Sequence, residues 1–509
     1  MKKYIAIGCV ALSTLLGTTS CGDDFLNVNS SDKLLVNEYY NSEARIFEAL
    51  VAAYDPLNWL DYAWGYSNLS MTSDIMSDDV YVGGSGPTDQ GGYHRMATFE
   101  ATPTQQVASG LWTALYSGIN RSNIVLEYID GVPDLKEATK KQFINEAKAL
   151  RSFYYLWLWK FWGNIPYYTA NLTYPYLHEQ NTADQVYDGI ITTLEEIIAD
   201  DALPMRQEVQ WYGRATKAFV YMMYAECVMY QNDESRYTKA LGYMKEIIGS
   251  GKYDLTPNYA DIWEEETGEW NQESIFELEY FNENGARAWD SAIADGGTVY
   301  PKLIGINGLA GSSEFQGGWG FEPVRQEAYD MFEPTDKRRD ASILNFPEYK
   351  KTNPDATYEG RYQDTGNFLR KYLPRVGGNE KATGAADMNY NNNCRLYRFA
   401  ETLLNAAELS LRTNGSDAQG YLDRVRTRAG LSSVAATIDN ILHERHLEFV
   451  GEGKRYFDLV RSGKAADVLK AGSTPYRQKG WNTTKKWLPI PQGEIDSSGG
   501  TLVQNPYAD

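Results

Sequence analysis

The sequence predicts a mainly α fold in which paired amphipathic helices alternate with long irregular stretches. Three observations lead there: apolar residues at helical spacing, short polar turns between successive stripes, and aromatic, Gly- and Asn-rich segments without periodicity. Phe143, Ala147, Leu150, Tyr154, Trp157 and Phe161 fall on one stripe, and Val186, Ile190, Leu194 and Ile197 on the next. Residues 215–230 and 237–248 pair across the polar turn Gln231-Asn232-Asp233-Glu234. Leu396, Ala400, Leu403, Ala407 and Leu411 make a further stripe, with 421–429 as its partner. A last long helix covers 441–461, interrupted around Gly451 and Gly453. These hairpins suggest a degenerate tetratricopeptide-like layout rather than a regular array. The irregular stretches are 58–106, 265–393 and the closing 465–509. Loops of that length inside a compact chain are usually functional. The helical scaffold is assigned mainly to 107–250 and 395–465, the variable loops mainly to 58–106 and 265–393, all within one domain over 33–509.

Composition narrows the function. The 509 residues hold 48 Lys and Arg against 68 Asp and Glu, a net charge of −20. That balance argues against nucleic acid, whose phosphates are bound by Lys and Arg. Aromatic residues make up 13%, with 38 Tyr and 13 Trp, more than core filling requires. Tyr and Trp suit a surface that must be apolar and hydrogen-bonding at once. The cysteines, Cys9, Cys21, Cys227 and Cys394, imply no disulfide framework. No stretch beyond residue 20 reaches the roughly 18 apolar residues a spanning helix needs.

Lys2 and Lys3 precede an apolar run from Tyr4 to Gly17, then small Thr18, Thr19 and Ser20, then Cys21. Residues 1–20 thus read as a secretory signal peptide. The cysteine after small residues resembles the lipobox of bacterial lipoproteins, which implies lipidation of Cys21 and a lipid-anchored tether over 21–32. Two or more acyl chains anchor stably. The acidic Asp23 and Asp24 resemble the export signal of surface lipoproteins in Bacteroidetes. The expected location is the outer membrane, exposed at the cell surface.

Four blocks carry a family resemblance. They are Glu146-Ala147-Lys148-Ala149-Leu150-Arg151-Ser152-Phe153-Tyr154-Tyr155 with Phe161-Trp162-Gly163-Asn164-Ile165-Pro166; Gly318-Trp319-Gly320-Phe321-Glu322-Pro323 with Asp336-Lys337-Arg338-Arg339-Asp340; Glu444-Arg445-His446-Leu447-Glu448-Phe449 to Glu452-Gly453-Lys454-Arg455-Tyr456-Phe457-Asp458-Leu459; and Leu488-Pro489-Ile490-Pro491-Gln492-Gly493-Glu494-Ile495-Asp496 with Gln504-Asn505-Pro506. In this order, behind a lipoprotein leader, they resemble the SusD/RagB family. Tyr507 follows Pro506 directly, where the family usually has an intervening Gly. The resemblance implies a SusD-like fold, with tetratricopeptide-like helix pairs packed against an irregular loop-rich half. It also implies a non-catalytic cell-surface role: capturing oligo- or polysaccharide and passing it to a SusC-type TonB-dependent porin. Some members bind peptides, which is the alternative. The blocks themselves read as fold determinants. Residues 153–162 are apolar all round and hence buried, and charges in 444–461 can pair within a helix, as Lys454 with Asp458 at i,i+4.

A sugar ring offers a weakly apolar face and hydroxyl edges. Its site therefore needs exposed Trp or Tyr platforms for dispersion and polar groups at the edges. The run Trp59, Asp61, Tyr62, Trp64, Tyr66 and Asn68, followed by Asp74, Asp78, Asp79 and Tyr81, meets this need. So does the run Asn282, Asn284, Arg287, Trp289, Asp290 and Tyr300. The ligand-binding set drawn from them is Trp59, Trp64, Tyr66, Asp78, Asp79, Tyr81, Arg287, Trp289 and Tyr300, with Trp319 from the mid-chain block. A glycosidase would need a spaced carboxylate pair. Asp78-Asp79 and Glu264-Glu265-Glu266 are adjacent residues, which tend to point apart. No nucleophile elbow or Walker loop occurs. His443 and His446 lack the i,i+4 spacing of a helical zinc pair and read as helix-surface residues. Cys227 reads as a buried free thiol. No cofactor is expected; calcium stays open, because scattered loop oxygens leave no local pattern.

Overall fold

The computed structural model describes residues 39–507 except 63, 64, 67, 106, 107 and 266. The leader, Cys21, the tether and Trp64 lie outside the described residues. Helix α1 (Glu43–Tyr54) starts at Ser42, whose hydroxyl accepts from the Arg45 amide. There follow α2 (Ser109–Tyr128), α3 (Glu137–Trp162), α4 (Ala183–Asp200), α5 (Lys217–Gln231) and α6 (Tyr237–Gly249). After the loop-rich half come α7 (Phe399–Arg412), α8 (Ala418–Ala429), α9 (Ile438–Glu448) and α10 (Arg455–Arg461). Neighbours in sequence pack as antiparallel pairs: α2 on α3, α3 on α4, α5 on α6, α7 on α8. The expected stripes therefore lie on real helices. Helix α4 is set by a capping box in which Thr182 and Gln185 satisfy each other's backbone N–H. The α5–α6 hairpin closes by a stack of Tyr221 on Tyr243, 4.3 Å apart and 11° from parallel.

Helix α2 shows no clean stripe in the sequence because small residues sit on its buried face. Gly118 is one: a Cβ there would lie 2.3 Å from the Tyr154 ring, so glycine lets α2 and α3 approach closely. From Ala149 to Trp162 every side chain of α3 is buried, as the all-round apolar pattern requires. Of its two interior cations, Arg151 donates to Asn123 and the Thr169 carbonyl, while Lys160 pairs with Glu226 at 2.5 Å and lies over the Trp157 and Phe457 rings. Residues 441–461 divide as expected: Gly451 and Gly453 take positive φ between α9 and α10. Leu396 is not helical but belongs to the strand that leads into α7.

The loop-rich half holds little regular structure. Among the described residues three two-stranded antiparallel sheets are formed, β1 (Ile165–Pro166) with β2 (Gln180–Asn181) between α3 and α4, and, in this half, β3 (Ser274–Leu278) with β6 (Cys394–Arg398) and β4 (Ile343–Asn345) with β5 (Asn367–Leu369). Isolated bridges Val80↔Val324 and Gly83↔Phe321 join residues 80–84 to 320–324. A satellite core of Ile306, Phe315, Leu344, Phe346, Tyr349 and Phe368 supports this half beside the main core. Cys227 is a buried free thiol on α5, and Cys394 is buried on β6.

The halves are joined by buried ion pairs. Arg398 on β6 meets Glu273 at 2.5 Å, Glu448 at 3.0 Å and Glu452 at 2.8 Å. Arg428 on α8 meets Glu273 and Glu448, and Arg338 meets Asp336, Glu444 and Glu448. Burial pushes the Glu448 carboxyl up, but the Arg428, Arg398 and Arg338 guanidiniums outweigh it and hold it far below the usual carboxylate range. The charges of 444–461 therefore pair mostly between elements, with Asp458–Arg461 a pair inside α10. Lys454 reaches Glu401 on α7, and Asp458 is held by Arg445 and Arg461.

Removing one partner of such a set leaves buried charge uncompensated, so Arg398→Met is expected to cost about 3–5 kcal/mol. The exposed pair Lys351–Glu348 sets the scale at the surface, where Lys351→Ala should cost under about 1 kcal/mol. Urea midpoints of the two variants check the contrast. Burial also pushes Glu265 up to about 7 and Glu269 up to about 8, against the opposing Arg375 and Arg395. The folded chain then keeps protons that the unfolded chain releases near the ordinary value of 4.5. This stabilisation is complete below about pH 4.5 and is lost as pH rises through 7 to 8. The urea midpoint is expected to fall from pH 6 to 8.5, and to fall less in the Glu265→Gln/Glu269→Gln variant.

Candidate functional site

Four rings from three separate loops meet at one surface. Trp289 and Trp319 lie 6.1 Å apart at 29°, close to parallel. Tyr66 stands nearly edge-on to both, at 6.4 Å from Trp289 and 6.0 Å from Trp319. Tyr62 packs edge-on against Trp289 at 5.5 Å and tilted at 58° against Tyr66 at 5.0 Å. Trp289 is 45% exposed, while the other three are half-buried. Large indole area facing water next to supporting rings is the geometry of a stacking platform. Burial, with Tyr62, Asp89 and Asp387 adding to it, pushes the Tyr66 phenol up to about 12, so it stays a neutral donor. At the rim, Lys302 lies 6.0 Å over the Trp319 ring and pairs with Asp387 at 3.1 Å.

The loops are positioned from beneath. Arg287 is fully buried and donates to Asp61 (2.8 Å) and to the Tyr62, Ala292 and Gly297 carbonyls. The other Asp61 oxygen accepts from Thr298 Oγ1 and the Val299 amide, both at 2.8 Å. This clamp ties the loop of Tyr62 and Tyr66 to the loop of Trp289. Below Trp319, Tyr300 donates to Glu322 at 2.7 Å. Arg361 donates to the Trp319 carbonyl at 2.7 Å. Asn389 holds the base of the Trp289 loop through the Arg287 carbonyl (2.9 Å) and the Gly297 amide (3.2 Å).

The structure thus brings together Tyr66, Trp289 and Trp319 of the sequence-drawn set, and corrects most of the rest. Trp59 is buried at 3% exposure, with the Arg121 guanidinium 4.7 Å above its ring. Arg287 and Tyr300 have no surface to offer a ligand; they hold the platform up. Asp78 is taken by both arms of Arg455, at 2.7 and 2.9 Å, and buried Asp79 meets His446. His446 is therefore an interior contact, whereas His443 stays on the helix surface. Asn282 is also buried, donating to the Gly378 carbonyl. Tyr81 sits away from the platform, against Tyr476 and under Arg325. Trp64 lies outside the described residues. Tyr62 was visible in the aromatic run, but nothing local singled it out; Lys302 and Asp387 gave no sequence signal.

Among the described residues, Asp78, Asp79 and His446 bring ligand atoms within 4.8 Å of one another. Arg455 already neutralises Asp78 there, so a guanidinium occupies the cation's role. Glu264 is likewise engaged by Arg375 at 3.2 Å.

Two family models match the chain: the SusD family over residues 272–507, and one described as "Starch-binding associating with outer membrane" over residues 24–228. Among solved structures, surface glycan-binding protein A from Bacteroides thetaiotaomicron in complex with laminarihexaose is 49% identical, with a TM-score of 0.88. The match covers 92% of this chain and 100% of that one. A laminarin-binding SusD-like protein is 31% identical, with a TM-score of 0.83 over 92% of this chain and 100% of that one. A SusD-like protein of Bacteroides ovatus is 24% identical over 473 residues, 89% of this chain and 81% of its own. The expected fold class and family are both met, and the chain belongs to the SusD family.

Proposed function

We propose that this protein is a non-catalytic, cell-surface glycan-binding lipoprotein that captures a laminarin-type glucan and hands it to a SusC-type porin. The observation that carries the reading is the exposed indole of Trp289 beside Trp319 and Tyr66, backed by a clamp that leaves those rings no other partner face to bury. Such a surface stacks on sugar faces, while Lys302, Asp387 and the neutral Tyr66 phenol lie at hand for hydroxyl edges. Relatives at 49% and 31% identity are described as bound to laminarihexaose and as laminarin-binding, which sets the first ligand to try. The peptide-binding alternative has no observation in its favour. Catalysis has none either: of the acids weighed for it, Asp78, Asp79 and Glu264 are engaged by Arg455, His446 and Arg375. Residues 1–20 act as the signal peptide, Cys21 carries the lipid, and 21–32 form the tether to the outer membrane.

Trp289→Ala and Trp319→Ala are each expected to weaken laminarin binding about tenfold or more, roughly 1.4 kcal/mol, in affinity gels and calorimetry, with unchanged melting. Normal retardation of both variants would remove the platform from the reading. Tyr300→Phe should instead lower stability with little change in affinity per folded molecule. For the anchor, Cys21→Ser is expected to move the protein from the membrane fraction to the soluble fraction; retention in the membrane would sink the lipidation.

A further inference from the structure

A cleft of about 830 Å³ opens beside residues 80–82, within the roughly 300–1,000 Å³ range of small-molecule sites. None of the platform rings lines it. Its wall is a second aromatic run drawn from three stretches distant in sequence, with Tyr81 and His94 in the first. Tyr81 meets Tyr476 at 5.2 Å, Tyr476 meets Tyr362 at 5.6 Å, and Tyr362 meets His94 at 5.6 Å, at angles between 63° and 80°. Because each ring is turned against the next, the wall curves. Tyr476 is 36% exposed, and Tyr81 and Tyr362 are half-buried, so ring surface remains for a ligand.

The polar lining is unlike an ion site. Amides and hydroxyls dominate, among them Gln105, Gln478 and Thr88, all exposed. Arg477, the buried cation of the lining, is spent: it donates to the Ala97 and Ser77 carbonyls and to Ser473 Oγ, and stacks on Phe99. Glu100 accepts from Thr98 at 2.9 Å. Burial lowers the His94 imidazole below its ordinary value, which keeps that ring neutral. Arg95 is the exposed cation of the lining, and ring faces beside amides, hydroxyls and one guanidinium suit a polyhydroxylated chain, whose hydroxyls a charged donor also binds. An acidic peptide would call for several cations, and of the two arginines in the lining Arg477 is already taken.

We propose that this cleft is a second carbohydrate site, taking a short neutral oligosaccharide segment independently of the Trp289 platform. The choice of laminarihexaose as first probe rests on the glucan reading above; the cleft's chemistry does not. Arg361 contacts the Trp319 carbonyl and precedes Tyr362, so the two sites are neighbours through one residue. A polymer could engage both, which raises avidity without new contacts.

Calorimetry of the mature chain with laminarihexaose, carried to millimolar ligand, tests the idea. Two binding events are expected, one tight and one weaker. Trp289→Ala/Trp319→Ala should remove the tight event and leave the weak one. Tyr362→Ala/Tyr476→Ala should remove the weak event alone, with Tyr476→Ala as the milder variant if the double one melts early. The cleft variant should also lower affinity for long laminarin about tenfold, while affinity for the hexasaccharide at the tight site is unchanged. A single event in the wild type, untouched by Tyr476→Ala, overturns the proposal and leaves the platform reading standing. Loss of all binding in the cleft variant alone, with the Trp variant silent, supports the cleft and overturns the platform. If laminarihexaose gives no event, the glucan reading fails; maltohexaose, cellohexaose and mannohexaose are then titrated, and silence from all three overturns the cleft as well.

Discussion

Everything in the loop-rich half depends on a set of charges that no water reaches. Glu448 at the end of α9 is shared by Arg338, Arg398 and Arg428, which come from a loop, a strand and a helix. Burying such charges costs several kcal/mol per ion and is offset only where the geometry is good. The network is thus a poor source of surplus stability and a strict selector of arrangement. A displacement that strands one arginine is penalised at once, so loops with little regular structure still find one register against the helices.

That register decides where the platform rings go. Glu273 opens β3, and the chain beyond β3 runs into the loop of Trp289. Asp336 and Arg338 follow the block that carries Trp319. Both indoles therefore spring from segments pinned to Glu448. The second device is local: Arg287 and Asp61 stitch the Tyr62–Tyr66 loop to the Trp289 loop across 226 residues of sequence. Arginine is suited to the task because its planar fork reaches a carboxylate and several carbonyls without losing charge. The rings above are left to pack edge-on, which supports them without hiding the face of Trp289.

Much of this was legible from the residues, for reasons that differ by level. Helices α3 to α8 announced themselves because a one-sided core writes a 3.6-residue period into the chain. Helix α2 did not, since Gly118 was chosen for contact with Tyr154 and breaks the stripe. The charges of 444–461 were visible, but sequence spacing offers only partners along one helix, while Lys454 pairs with Glu401 on α7 and Asp458 adds Arg445 on α9 to its own-helix partner Arg461. At the site, Tyr66, Trp289 and Trp319 were named by chemistry, and the fold brings these three rings together. Trp59, Arg287 and Tyr300 have the same chemistry and point inward. No local pattern separates a ring that faces a ligand from one that faces Arg121, because burial is decided by segments hundreds of residues away.

Frame and rings are separable in this design. The frame uses charges whose partners are fixed, and glycines whose neighbours leave no room: a Cβ on Gly296 would lie 2.3 Å from Asn389 Oδ1, and one on Gly83 would lie 2.4 Å from the Gly320 carbonyl. Substitution there disturbs the loop bases. Trp289 carries no such constraint, since it already spends much of its surface on water. Exchanging a ring alters the curvature presented to a sugar chain at little cost to folding. Specificity for one glycan over another can therefore be tuned at the rings, while the ion network beneath them keeps the loops that carry those rings in place.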